Sequence, residues 1–221
     1  MSVFGYNKDC TSKEQILTKV REAILEKDEK HFSTINLQDD TWLPFDEEDG
    51  AEFTFVKRFK ENGGIFMYFE EMEHFKEAMN QFVEENNWSP LLTTSPYIKE
   101  IFADTDIEFS DDFKDLERKN KVSIIDCECM IAQTGSIMVS DVTAGSRAAY
   151  AFADTLIVVA HPSQIVARMK DAFGYMKEKY NDNQPASMTM ISKSTRSTDI
   201  ENTLVVGAYG FKQVALFLVE E

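Results

Sequence analysis

The sequence predicts an α/β protein, a sheet with helices packed on it, and three observations lead there. Helical stripes and apolar strand-like runs alternate between residues 51 and 102. The run "TLIVVA" is apolar at nearly every position, as expected of a strand buried on both faces. Three further strand-like runs, "SMTMIS", "TLVVGAYG" and "QVALFLVE", close the chain. Alternating helix and strand is the order of a layered sheet with helices upon it.

The elements follow in order. "TSKEQILTKVREAILEK" opens with a capping box, Thr11 or Ser12 followed three residues on by Glu14 or Gln15. Ile16, Val20, Ala23 and Ile24 then share one helical face. "HFSTINLQDDTWLPFDEEDG" is irregular and acidic, so residues 1–48 are expected to form an N-terminal helix and linker ahead of a main domain at 49–221. "AEFTFVKRFKENGG" reads as a helix stopped by Gly63 and Gly64. "IFMYFE" follows as a strand, "EMEHFKEAMNQFVEENN" as an amphipathic helix, and a short strand near Leu91 precedes a helix from Pro96 to Phe102. "KVSIIDCECMIAQTGSIMVSD" reads as two strands, the second around Gly135 to Val139. "SQIVARMKDAFGYMKEKY" reads as one helix, capped by Ser163 with Ile165, Val166, Met169, Phe173 and Met176 on its stripe. The last two strands are expected to form a hairpin across Gly210.

With 43% hydrophobic residues in 221, the chain can bury a sizeable core. A formal charge of -16 argues against nucleic acid as the partner. Residues 1–120 hold 14 Lys+Arg and 28 Asp+Glu, a net of -14, and residues 121–221 hold 9 and 11, a net of -2. A small anion is therefore expected in the second half. No basic segment followed by an apolar stretch opens the chain, and the longest apolar run, Leu156 to Ala160, is too short to span a bilayer. Three cysteines make no disulfide framework, so a cytoplasmic, reduced protein is expected.

The most informative stretch is "SMTMISKSTRSTDIENTLVVGAYG". Thr195, Ser197 and Thr198 surround Arg196, whose planar fork suits a carboxylate or a phosphate. Against this stands an internal pairing of Arg196 with Asp199 or Glu201 that merely locks the loop. Thr134-Gly135-Ser136 offers a glycine at which amides can approach an anion, or a plain tight turn. Asp199 and Glu201 are candidates for acid–base work, with no third partner visible. Cys127 and Cys129 share a strand face but make neither a zinc site nor an iron–sulfur site. His161, before Pro162 at a strand end, reads as a structural histidine within reach of a ligand site. Walker-A, GxGxxG, GxSxG and HExxH motifs do not occur.

Ile131-Ala132-Gln133-Thr134-Gly135-Ser136, the strand–helix pair "TLIVVAHPSQIVARMKDAF" and "ISKSTRSTDIENTLVVGAYGF" together resemble the LUD domain of the lactate-utilisation protein C (LutC/YkgG-like) family. Ile191, Ser192, Arg196, Asp199, Ile200, Glu201, Gly207 and Gly210 fall in step with its pattern, over Val122 to Leu218. The resemblance implies a Rossmann-like sheet with helices on both faces, similar to the NagB/RpiA/CoA-transferase-like fold. It also implies a role in lactate oxidation, as a cluster-free partner of iron–sulfur oxidoreductase subunits. The chain departs from the family at Lys193-Ser194, where the pattern has Gly-Pro, at Tyr209-Gly210-Phe211, where it has His-Gly-Pro, and at Gln133, where it has glutamate.

The ligand set expected from residues and resemblance is Thr134, Gly135, Ser136, Ser192, Thr195, Arg196, Ser197, Asp199, Glu201 and Gly207, around a small carboxylate or phosphate. Three roles are carried forward. One is an accessory, small-anion-binding component of organic-acid utilisation. Another is an enzyme like the superfamily's sugar-phosphate isomerases and CoA-transferases, with Glu201 or Asp199 as base or nucleophile. The third is an interaction module whose acidic half contacts partner subunits. Assembly of identical chains is left open.

Overall fold

The computed structural model describes residue 18, residues 50–112, 121–194 and 210–220, and the backbone at 196–197 and 205–206. The chain divides into two compact units, Met1–Thr41 and Trp42–Glu221. In the first, only Thr18 is described, and it is helical. The rest of the expected N-terminal helix and linker lies outside the described residues.

The second unit is built in the order α1 (Ala51–Glu61), β1 (Ile65–Phe69), α2 (Met72–Asn86), β2 (Leu91–Leu92), α3 (Pro96–Ile101), β3 (Phe109–Ser110), β4 (Val122–Asp126), β5 (Cys129–Ile131), β6 (Ser136–Ser140), α4 (Arg147–Ala151), β7 (Thr155–Ala160), a 3-10 turn (Pro162–Gln164), β8 (Ile165–Val166), α5 (Met169–Tyr180), β9 (Met188–Ile191), β10 (Arg196–Ser197), β11 (Val205–Val206) and β12 (Gln213–Val219). Six strands form a wholly parallel sheet in the order β1-β12-β7-β4-β2-β3. Its centre, β7 and β12, is almost wholly buried, which is why those two runs read as continuously apolar.

Both faces of this sheet are covered. On one, Phe55 and Phe59 of α1 stack at 5.5 Å and pack with Leu156, Val158, Leu216 and the small helix α4. On the other, Phe75 and Met79 of α2 and Ile98 of α3 pack against Ile124, Ile157 and Phe217. Phe75 meets Phe102 edge-on at 5.3 Å and Phe217 at 5.8 Å. The α/β fold expected from the sequence is present.

Three local expectations are corrected. The segment from Val122 to Ser140 makes three strands rather than two, because the chain turns at Cys127 and Glu128 and leaves the parallel sheet. β5 and β6 instead join a second, four-stranded sheet in the order β8-β5-β6-β9. The single helix expected from Ser163 is split. Ile165 and Val166 pair in parallel with Met130 and Ile131, so the two β-branched residues serve a strand, and α5 starts only at Met169. The expected hairpin across Gly210 is also absent. β12 lies between β1 and β7, while β11 pairs antiparallel with β10.

Candidate functional site

Parallel strands deliver all their carboxyl ends to one edge. The chain steps outward from β2 to β3, returns to β4, and then runs through β7 to β12 in the other direction. At such a reversal the loops diverge and leave a crevice where ligands bind in open α/β sheets. A cleft of about 720 Å³ opens at this edge, bordered by the residues that follow β1, β4, β7 and β12. Among them are Glu70, Cys127, His161 and Glu220, joined by Tyr97 of α3 and Lys179 of α5.

His161 is fixed at both ring nitrogens. Nδ1 lies 2.8 Å from the Val219 carbonyl, which can only accept, so Nδ1 carries the proton. In the neutral ring Nε2 is then an acceptor, and the Tyr97 hydroxyl donates to it. The two rings meet edge-on at 6.0 Å. Gln164 clamps the backbone beside them: the His161 amide donates to its Oε1 at 2.7 Å, and its Nε2 donates to the Cys127 carbonyl at 2.7 Å.

Beneath the cleft lies a buried carboxylate. Glu128 is 0% exposed, and it accepts from Lys179 Nζ at 2.8 Å, from the Tyr180 hydroxyl at 2.7 Å and from the Ser140 hydroxyl. These bonds tie α5 to the base of the β5–β6 hairpin and neutralise a charge that burial alone would make costly. Burial works to lower the Lys179 pKa, but the Glu128 hydrogen bond and charge outweigh it and hold the ammonium well above its ordinary range. The Tyr180 hydroxyl is pushed up to about 12 by burial and by Glu128.

Asp126 ends β4 and borders the cleft. Burial raises its carboxyl above the ordinary aspartate range, with a Ser95 hydrogen bond opposing and the charges of Glu128 and Lys179 adding smaller, opposite effects. Its Oδ1 is out of solvent and has no hydrogen-bond partner. The thiols beside it are poor nucleophiles. Burial, with Cys129 and the neighbouring carboxylates, pushes Cys127 far up, and burial and Glu128 push Cys129 up to about 12. Among the described residues no group of three or more His, Cys, Asp and Glu is placed to hold a metal ion.

The residues singled out in the sequence lie elsewhere. β6 runs from Ser136 at the hairpin tip to Ser140 at its base, and β9 runs back beside it to Ile191 at the tip. Thr134, Gly135 and Ser136 are therefore at the tip, while the cleft is at the base. Ser136 Oγ and Ser192 Oγ are 2.8 Å apart, so the structure joins two of the predicted motifs there. The amides of Thr134 and Gly135 both point into the turn, to the carbonyls of Ile131 and Ala132 at 3.3 Å. The turn docks on α1: Asn62 Nδ2 donates to the Thr134 carbonyl at 3.0 Å, and Arg58 donates to the Gln133 carbonyl. Gly135 has φ +59°, and a Cβ on it would fall 2.6 Å from the Arg58 backbone, so glycine here permits the approach of α1. Thr134 Oγ1 is buried without a partner.

For Arg196 and Ser197 the backbone is described, opposite Val206 and Val205. Thr195, Asp199, Glu201 and Gly207 lie outside the described residues. Asp126, Glu128, Tyr97 and Lys179 were missed. The available signal was two carboxylates, Asp126 and Glu128, inside the otherwise apolar run "SIIDCECMIA".

Comparison with known proteins places this geometry in a family. The sequence model of the LUD domain matches residues 54–219. Lactate utilization protein C of Bacillus licheniformis is 29% identical over 96 residues, and that of Geobacillus thermodenitrificans is 27% identical over 109. These matches span 42% and 48% of this chain and only 40% and 45% of the two relatives. A crystal structure of a DUF162 family protein from Deinococcus radiodurans shares the fold, with a TM-score of 0.59 and 16% identity, covering 80% of this chain and 99% of that one. With the match extending over both sheets and most of the chain, this protein belongs to the LUD domain family.

Proposed function

We propose that this LUD protein is a component of lactate, or related organic-acid, utilisation that binds a small hydroxy acid in the cleft at the carboxyl edge of the sheet. The observation that carries the reading is Asp126, a largely buried carboxylate that borders the cleft within the electrostatic reach of Lys179. Asp126 offers a wall acceptor to a ligand hydroxyl, and Lys179 complements a ligand carboxylate. Lys179 gives one N–H to Glu128 and has two more to offer. Its side chain is 38% exposed and borders the cleft, with Nζ 5.7 Å and 5.4 Å from the Tyr175 and Tyr180 ring centroids. The exposed rim carboxylates Glu70, Glu71 and Glu220 oppose multiply charged anions. That favours a monoanion over the phosphates of the isomerase- or transferase-like alternative. In this role the chain works beside iron–sulfur oxidoreductase subunits rather than carrying a cluster of its own.

A second reading keeps the anion on the Arg196 loop. It is favoured by the Ser136–Ser192 hydrogen bond, which brings two of the motifs to one end of the hairpin.

The test of function is a thermal-shift panel on the full chain at fixed salt, with lactate, pyruvate, inorganic phosphate, a sugar phosphate and coenzyme A. Ligand at a hundred times its Kd adds about 2.7 kcal/mol. For a domain of this size that raises Tm by roughly 5–10 °C. A dose-dependent rise with lactate or pyruvate is expected. A rise with the sugar phosphate or coenzyme A alone contradicts the organic-acid reading.

A further inference from the structure

A 2-hydroxy acid and the matching 2-keto acid differ in one feature that a binding site can read. The hydroxyl donates a hydrogen bond, and the ketone only accepts. A wall group that only accepts therefore favours the first and repels the second. Asp126 is such a group when ionised. Beside it stands Ser95, the N-cap of α3, whose Oγ accepts from the Ile98 amide at 3.3 Å and whose hydroxyl favours the ionised Asp126. Thr143 also borders the cleft, and its hydroxyl lies 3.4 Å from Ser140 Oγ.

We propose that Asp126 sets the preference of the cleft for a 2-hydroxy acid over its 2-keto counterpart by accepting the hydrogen of the ligand hydroxyl. The inference rests on the cleft being the organic-acid site. Lys179 holds the carboxylate that both acids share, so it contributes affinity without discrimination. Asp126 faces the part in which they differ. An ionised carboxylate gains a charge-assisted hydrogen bond from the hydroxyl and meets only repulsion from a ketone oxygen. A discrimination of at least about tenfold is expected.

The same device reverses with protonation. A neutral Asp126 can donate to a ketone, so the preference weakens as pH falls. Several other groups act on this carboxylate. Glu128 and Lys179 lie beside it, Cys127 follows it on the chain, Tyr97 and His161 share the cleft, and Glu70, Glu71 and Glu220 sit on the rim. The charges of these neighbours act alike on two monoanions, so the ratio of affinities isolates Asp126.

The experiment is calorimetric titration of the full chain with L-lactate and with pyruvate, at pH 8 and pH 5.5, for the wild type and Asp126→Asn. The expected result is a wild-type preference for lactate of at least about tenfold at pH 8 that is no larger at pH 5.5. In Asp126→Asn, whose amide offers both a donor and an acceptor, the two acids should bind within about threefold of each other at both pH values. Two bound acids with an unchanged ratio in the variant overturn the inference and leave the cleft reading standing. So does a wild-type preference for pyruvate. Should Asp126→Asn not fold, Asp126→Ser, whose hydroxyl can donate or accept, carries the same test, and an unchanged ratio in it overturns the inference equally. If neither acid binds the wild type, the cleft reading fails and the inference with it.

Discussion

The Glu128–Lys179 pair should be the main fastening of α5 to the sheets, and its contribution can be worked from its geometry. Glu128 is 0% exposed and Lys179 is 38% exposed at the side chain. Lys179→Met would leave a buried carboxylate with only the Ser140 and Tyr180 hydroxyls. Losing one partner of a fully buried pair costs about 3–5 kcal/mol. Because the lysine is partly in water, about 2 kcal/mol is the better figure here. Glu128→Gln keeps its shape but turns an amide N–H toward the ammonium at the oxygen lying 2.8 Å from Nζ. Lys179 can swing to solvent, so this costs about 1–2 kcal/mol. The double variant removes both the charge and its partner and should lose less than the sum, with a coupling energy of about 1–2 kcal/mol. Urea unfolding of the four proteins, followed by circular dichroism, measures the cycle. A coupling below about 0.3 kcal/mol would refute the idea that the pair, rather than apolar packing around Ala172 and Met176, holds the helix.

Three further outcomes are expected. Gly135→Ala places a Cβ against the Arg58 backbone at positive φ and should cost about 3 kcal/mol, whereas Gly174→Ala on α5, with nothing within 4 Å, should gain about 0.5–1 kcal/mol; comparison of their urea midpoints checks both. Cys127 and Cys129, buried and with thiols pushed far from ionisation, should resist iodoacetamide at pH 8 in the native protein and react only in denaturant, as mapped by mass spectrometry. Asp126 has a raised folded-state pKa, so the wild type is favoured below the ordinary aspartate range and loses that stability as pH rises through the folded pKa. Asp126→Asn should therefore gain on the wild type between pH 4 and pH 8 in urea titrations, and a gain in the opposite direction would contradict the burial of that carboxylate.

The fold was legible where local signals and tertiary role agree. "TLIVVA" and "QVALFLVE" read as buried strands because they are covered on both faces. The helix at Pro96 announced itself through Ser95 and the proline. The errors came where pairing overrode periodicity. Ile165 and Val166 fit a helical stripe with Met169 and Phe173, yet the open edge of β5 recruits them as a strand. The site was less legible for a different reason. The hydroxyls around Gly135 and those around Arg196 stand out in a sequence, and the first group lies at the tip of the β5–β6 hairpin. The cleft is assembled from single residues at the ends of β1, β4, β7 and β12, far apart in the chain and adjacent only through the sheet order. Tyr97 and His161 are 64 residues apart, and no spacing rule connects them. Asp126 and Glu128 were visible as carboxylates in an apolar run, a mismatch between composition and burial that marks functional positions in general.

The central claim is that the ligand binds at the base of the hairpin, against Asp126 and Lys179, and not at its tip. Methionine methyl groups report on both places, since Met72 borders the cleft while Met190 lies on β9 on the way to Ser192. The most direct measurement is an NMR titration of the methyl-labelled protein with L-lactate, each signal assigned by Met→Leu substitution. Saturable movement of the Met72 methyl with Met190 unmoved is the predicted result. Movement of Met190 with Met72 unmoved would contradict the account and place the ligand on the Arg196 loop.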